Sequence, residues 1–253
     1  MNSKTDKRYS QIGIDRLVRL EWLQYTASLS LAGNKESVMK SLLQDHLKDS
    51  FESTDTSIRS SMDKTITILR KTWDNVPGFL LPLKNDGLSL LASSPKKYHI
   101  AIHWGMISAV YPFWGAVAAN VGRLIKLQGS AAAVQVQRRL KEQYGERETV
   151  SRRVRYILRS FVEWGVIVET AAQGIYAGKN PLTVDNEALI TWLIEAYLYS
   201  IPSGASNFRD LIGKSSLFPF SLHMVSSDRL ANYSDRLDIV RHGFDETLII
   251  LKK

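Results

Sequence analysis

Along most of the chain, apolar residues recur every three or four positions, the spacing of an amphipathic helix. Ile14, Leu17, Val18, Trp22, Tyr25, Leu29 and Leu31 keep that period, and Gly33-Asn34 closes it, which predicts a first helix from Ile12 to about Ala32. Val38, Leu42, Leu43, Leu47 and Phe51 predict a second over Glu36 to Phe51. Ile58, Met62, Ile66, Leu69 and Trp73 predict a third over Asp55 to Trp73, with the polar link Glu52-Ser53-Thr54 supplying oxygens to cap it. The period lapses from Asp74 to Ser94 around Val76-Pro77-Gly78 and Leu81-Pro82-Leu83, leaving a short helical piece near Leu88 to Leu91. A module boundary is expected there, with residues 10–94 forming an N-terminal helical bundle.

Ser94-Pro95 has the form of a helix start, Ser as N-cap and Pro at the first position, leading to about Val110. Tyr111-Pro112 opens another helix that ends at Gly129-Ser130. Ser130 to Tyr144, stopped at Gly145, and Thr149 to Trp164, stopped at Gly165, predict two more. Val166 to Thr170 and Gly174 to Ala177 then alternate around a small-residue turn, a β-hairpin pattern. Helix, helix, turn, helix, hairpin is the order of a winged helix-turn-helix, expected over residues 95–184.

Residues 185–253 are read as a C-terminal helical and hairpin module, a candidate degenerate second winged helix. Asp185-Asn186-Glu187 caps a helix to about Ser200 that is apolar around most of its circumference. Short helices follow near Phe208 to Ile212 and from about Asp228, and Leu237 to Val240 with Thr247 to Leu251 reads as a hairpin around His242-Gly243. The fold class expected is mainly α: a helical bundle plus winged-helix modules with short β-hairpins.

Composition narrows the chemistry. The 253 residues include no cysteine, which excludes disulfides, Cys-ligated zinc, iron–sulfur clusters and a thiol nucleophile, and suits a cytoplasmic protein. The polar start Met1 to Arg8 does not read as a secretion signal. Tyr98 to Gly122 carries no charge, but His99, His103, Pro112 and Asn120 interrupt it, so two buried helices meeting at Pro112 are expected rather than a membrane span.

The net charge of +8 favours a polyanionic partner, and its placement is informative. Between Arg123 and Arg159 lie ten basic residues (Arg123, Lys126, Arg138, Arg139, Lys141, Arg147, Arg152, Arg153, Arg155, Arg159) against three acids (Glu142, Glu146, Glu148). On a helical wheel of about 100° per residue, Val150, Val154, Ile157, Leu158 and Phe161 share one side of the Thr149 helix. Arg152, Arg155, Tyr156 and Arg159 share the other, with Arg153 at the flank. A guanidinium binds phosphate or the guanine O6/N7 edge bidentately, which suits groove contact. Thr149 and Ser151 are placed to meet phosphate at the helix start, and Arg138, Arg139, Lys141 and Arg147 to anchor the backbone. In the wing, Gln173, Tyr176, Lys179 and Asn180 are within reach of a duplex. The alternative reading of this face is a solvated basic surface.

Catalytic motifs do not emerge. His99 and His103 have i, i+4 spacing but no third ligand nearby, so buried or capping histidines are expected and no metal. Gly213-Lys214-Ser215 resembles the end of a P-loop, but Phe208 stands where its first glycine belongs. No nucleophile elbow, dinucleotide fingerprint or paired-carboxylate cluster is present, so no enzyme and no cofactor are expected.

The segment Thr149 to Gly165 with its hairpin, together with Asp185 to Leu251, resembles in layout the BrxA-type small DNA-binding accessory proteins of bacterial phage-exclusion (BREX) systems. The region Glu36 to Trp73 has no counterpart in that layout. The resemblance implies a non-catalytic binder of double-stranded DNA that works with larger defence proteins such as a methyltransferase and an ATPase. Two other functions fit the same residues: a protein–protein adaptor and a sequence-specific transcriptional regulator. A homodimer through the N-terminal bundle stays open.

Overall fold

An irregular strap, not a helix, occupies residues 11–19, with Ile14 in the left-handed region at φ +51°. Ile14 and Val18 are buried as expected, but their backbone does not coil. Val18 N–H donates to Ser160 Oγ (3.0 Å), and its carbonyl accepts the Trp164 indole N–H (2.9 Å). The main-chain groups of Val18 thus find partners on a distant helix, which removes the need for a helical ladder there. The computed structural model that shows this describes residues 6–51, 56–213, 217–223, 225–242 and 246–252. The capping link Glu52-Ser53-Thr54, the Lys214-Ser215 of the P-loop comparison and Gly243 of the last turn lie outside the described residues.

The first third is helical: α1 (Leu20–Leu31), α2 (Glu36–Leu47) and α3 (Thr56–Trp73) pack together, followed by α4 (Leu81–Ser93). The last is much longer than the piece expected near Leu88, because Pro82 falls in its first turn, where a missing N–H costs nothing. Ser94 ends α4 rather than capping the next helix, and a 3₁₀ turn, Lys96–Tyr98, leads into α5 (His99–Val110). Then α6 (Pro112–Gln128) leaves α5 at a bend of 119°. Both are buried over most of their length, and no single helix among the described residues is long and apolar enough to cross a membrane.

After α6 come β1 (Ser130–Ala132), α7 (Ala133–Tyr144), α8 (Glu148–Glu163), β2 (Ile167–Glu169) and β3 (Ile175–Gly178). Residues 130–132, read above as the start of a helix, are a strand. The three strands form an antiparallel sheet in the order β1-β3-β2. Next, β4 (Leu182–Val184) precedes α9 (Glu187–Ser200), whose N-cap Asn186 accepts from Leu189 N–H. Ten of its fourteen residues are buried, which explains the apolar residues all round it. The chain closes with β5 (Ala205–Asn207), α10 (Phe208–Gly213), β6 (Phe220–Leu222), α11 (Ser227–Leu230), β7 (Leu237–His242) and β8 (Glu246–Leu251). The β7–β8 hairpin gains β5 as a third strand, and β6 pairs in parallel with β4. The protein is mainly α, and one continuous apolar cluster runs from Ile14 to Ile249.

Candidate nucleic-acid interface

Helix α8 is amphipathic along its whole length. Val150, Val154, Ile157, Leu158 and Phe161 are all buried, as the wheel requires. Phe161 and Trp164 enter an aromatic cluster: Phe161 lies 4.6 Å from Trp104 and 5.0 Å from Trp114, and Trp164 lies 5.2 Å from Trp114. The inner side of α8 is therefore held on α5 and α6 by large rigid side chains. The turn Gly145-Glu146-Arg147 separates α8 from α7, and Gly145 adopts φ +96°, which a side chain would strain.

The outer side presents Arg152, Arg155 and Arg159, all exposed and spaced i, i+3, i+7 along one ridge. Arg155 pairs with Glu148, one turn before Arg152, at 2.9 Å. Among the described residues Arg152 and Arg159 have no acidic partner. Thr149 and Tyr156 are half-buried beside the ridge, and Tyr176 of β3, which the wing reading counted as reachable, is buried. Burial raises the Tyr176 phenol above its usual pKa, with nearby Glu169 adding to this and Arg159 opposing it. Lys179 is exposed, with its ammonium beside Gly165 at the far end of α8.

Two expected contact residues are placed elsewhere. Ser151 is only 6% exposed, because it lies three residues before Val154 and seven before Leu158 and so shares their core-facing side; Gln137 Nε2 reaches its carbonyl (3.5 Å). Arg153 turns inward and pairs with Asp15 of the strap at 3.0 Å. Burial lowers its pKa, and its Nε finds no hydrogen-bond acceptor. The expected four guanidinium groups on this face are three.

The α7 side is less uniformly positive. Arg138 is exposed and lies 4.0 Å from Glu142. Lys141 is half-buried and 3.7 Å from Glu146, while Arg139 is half-buried with one Nη unpartnered. Arg147 is exposed but donates to the Tyr144 carbonyl (2.8 Å), satisfying the end of α7. Burial pushes the Tyr144 phenol up to about 12.

The two histidines are structural. Trp73 donates to His103 Nδ1 (3.0 Å), and His103 Nε2 meets Gln24 Oε1 (3.0 Å). His99 meets the same Gln24 oxygen (3.1 Å) and the Ser94 carbonyl (3.2 Å), so all four ring nitrogens are engaged within the protein. No group of three or more potential metal-ligating side chains occurs among the described residues.

The periodicity of the residues does not show the strap, the three-residue strands such as β1 or the inward turn of Arg153. The one sign of the last is the flank position of Arg153 on its own helical wheel, and strand β1 is too short to show a period. No family model, curated protein or solved structure matches the chain.

Proposed function

We propose that the chain is a non-catalytic binder of double-stranded DNA and that α6 to β3 is a winged helix-turn-helix. In this reading α8 enters the major groove and the β2–β3 hairpin lies along the adjacent backbone. One observation carries it: Arg152, Arg155 and Arg159 line a single exposed ridge of a helix whose opposite side is fixed in an aromatic core. Three guanidinium groups at that spacing span about 10 Å, given a rise of about 1.5 Å per residue, a span comparable to the major groove. The element order α6-β1-α7-α8-β2-β3 and the strand order β1-β3-β2 support the module assignment. Arg138 and Lys179 flank the ridge as phosphate anchors. Arg147 is a weaker anchor, since it already serves Tyr144. The resemblance to BREX accessory proteins supplies the setting we propose, an accessory role beside larger defence proteins.

The test is fluorescence anisotropy with labelled random duplex and with single-stranded DNA of the same length. The duplex is bound more tightly, and Arg152→Glu/Arg155→Glu/Arg159→Glu abolishes binding while its circular dichroism is unchanged. Undiminished binding by that folded variant overturns the assignment. No binding at low salt, with a stable protein partner recovered from nuclease-treated lysate, selects the adaptor function instead.

A further inference from the structure

The order α6-β1-α7-α8-β2-β3 recurs later in the chain as α9-β5-α10-α11-β7-β8. The sheets match as well: the first runs β1-β3-β2 and the second β5-β8-β7, every pairing antiparallel, with the last strand of each set in the middle. Finer features coincide. A glycine of positive φ, Gly129 (+76°) or Gly204 (+58°), stands immediately before the first strand of each unit. That strand then runs without an intervening residue into the second helix, at Ala132-Ala133 and at Asn207-Phe208. The second unit departs in one place, where β6 is inserted between α10 and α11 and pairs with β4 from the end of the first unit.

The two units differ in what occupies the position of the groove-entering helix. In the first it is the 16-residue α8; in the second it is α11, four residues long. Residues 112–178 hold ten basic against five acidic side chains, whereas residues 187–253 hold seven against eight. Four of the second unit's cations are also engaged internally. Arg229 of α11 pairs with Glu187 at 2.7 Å, and the Tyr233 hydroxyl donates to the same carboxylate (3.1 Å). Arg241 pairs with Asp228, Lys252 lies 3.6 Å from Asp238, and Arg236 is bonded to Asp86 of α4 and to the buried Glu195 of α9. Helix α11 is thereby held onto the start of α9 by its own charges.

We infer that the chain is a tandem of two units of one topology in which only the first reads DNA, so that a single chain grips one half-site. The second unit has become a brace for the first. Two functional modules in tandem would span two half-sites about one helical turn apart, as helix-turn-helix dimers do. Here the second reading helix is too short and its cations are already neutralised, which confines the contact to about one turn of a non-palindromic duplex. This inference rests on α8 being the duplex-contact helix.

Random duplexes of about 12 and about 24 base pairs, the lengths of roughly one and two helical turns, test it. Sedimentation gives the stoichiometry and anisotropy the affinity. At limiting protein each complex is expected to hold one chain, and the longer duplex to be bound only about two- to tenfold more tightly, the gain expected from its greater number of positions. Arg229→Gln/Arg241→Gln leaves both affinities and their salt slopes unchanged. A gain well above tenfold on the longer duplex at one chain per duplex, or a fivefold loss in the Arg229→Gln/Arg241→Gln variant with its fold intact, overturns the inference while leaving α8 as a reader. Failure of both duplexes to bind at all removes instead the reading on which it rests.

Discussion

Asp15, in the strap, holds Arg153 of α8 at 3.0 Å, and three residues further along the strap Val18 is bonded to Ser160 and Trp164 of the same helical segment. An early stretch of chain is thus laid along the inner flank of the helix whose outer side is basic. The strap fixes α8 from behind and takes one arginine out of the exposed set.

Arg153 therefore belongs to stability rather than to DNA contact. Arg153→Met is expected to lower unfolding free energy by about 1–3 kcal/mol, the range for leaving the half-buried Asp15 carboxylate without this ion-pair partner. Duplex affinity should change less than about twofold, since the free-energy effect of a residue outside the interface is near zero. Urea denaturation and anisotropy titration check the two halves, and an affinity loss equal to that of Arg152→Ala contradicts the placement.

In the proposed complex Glu148 would compete with phosphate for Arg155. The pair is exposed on both sides, so breaking it costs at most about 1 kcal/mol. Glu148→Gln is expected to tighten duplex binding by about two- to fivefold and to steepen the log–log salt dependence by no more than about one counterion. Titrations at three or more salt concentrations measure both; weaker binding would make Glu148 a duplex contact in its own right.

Phe161 is the packing anchor of α8, fully buried between Trp104 and Trp114. Phe161→Ala should cost about 3–5 kcal/mol, the usual range for emptying an aromatic site in a core. Thermal or denaturant unfolding shows it, and a loss below about 1 kcal/mol would mean that the aromatic cluster is not what fixes the helix.

Acid sensitivity should trace to His103. Burial, with His99 nearby adding to it, lowers its pKa from 6.5 to about 3, and the neutral ring is the form that accepts the Trp73 N–H. The unfolded chain takes up this proton near pH 6.5 and the native chain only near 3, so the contribution is complete above about 6.5 and declines as the pH falls through that window. The decline is at most about 1.4 kcal/mol per pH unit for one group. His103→Gln is expected to flatten the fall in stability between pH 7 and pH 5, measured from urea midpoints. An unchanged pH dependence would assign acid sensitivity to other groups.

Much of this arrangement is legible in the residues themselves. The inner side of α8 follows the wheel at Val150, Val154, Ile157, Leu158 and Phe161, because an amphipathic helix of that length has only one way to bury its apolar stripe. The strap is not legible: Ile14, Leu17 and Val18 fit a helical period, and only the distant partners Ser160 and Trp164 make the non-helical form favourable. Ser151 was placed by its nearness to the helix start, when its spacing from Val154 and Leu158 already assigned it to the core. The strands β1, β4, β5 and β6 are three residues each, too short for alternation to show, and their pairing depends on contacts across the fold.

The proposed contact is between the exposed arginines of α8 and DNA phosphate and base edges. Its most direct test is the salt dependence of random-duplex affinity for the wild type and for Arg152→Ala/Arg159→Ala, the two ridge arginines without acidic partners among the described residues. The wild-type affinity is expected to fall steeply with salt, and the variant to bind at least tenfold more weakly, with a slope reduced by about two. Equal affinity and an equal slope in the two proteins would exclude that contact.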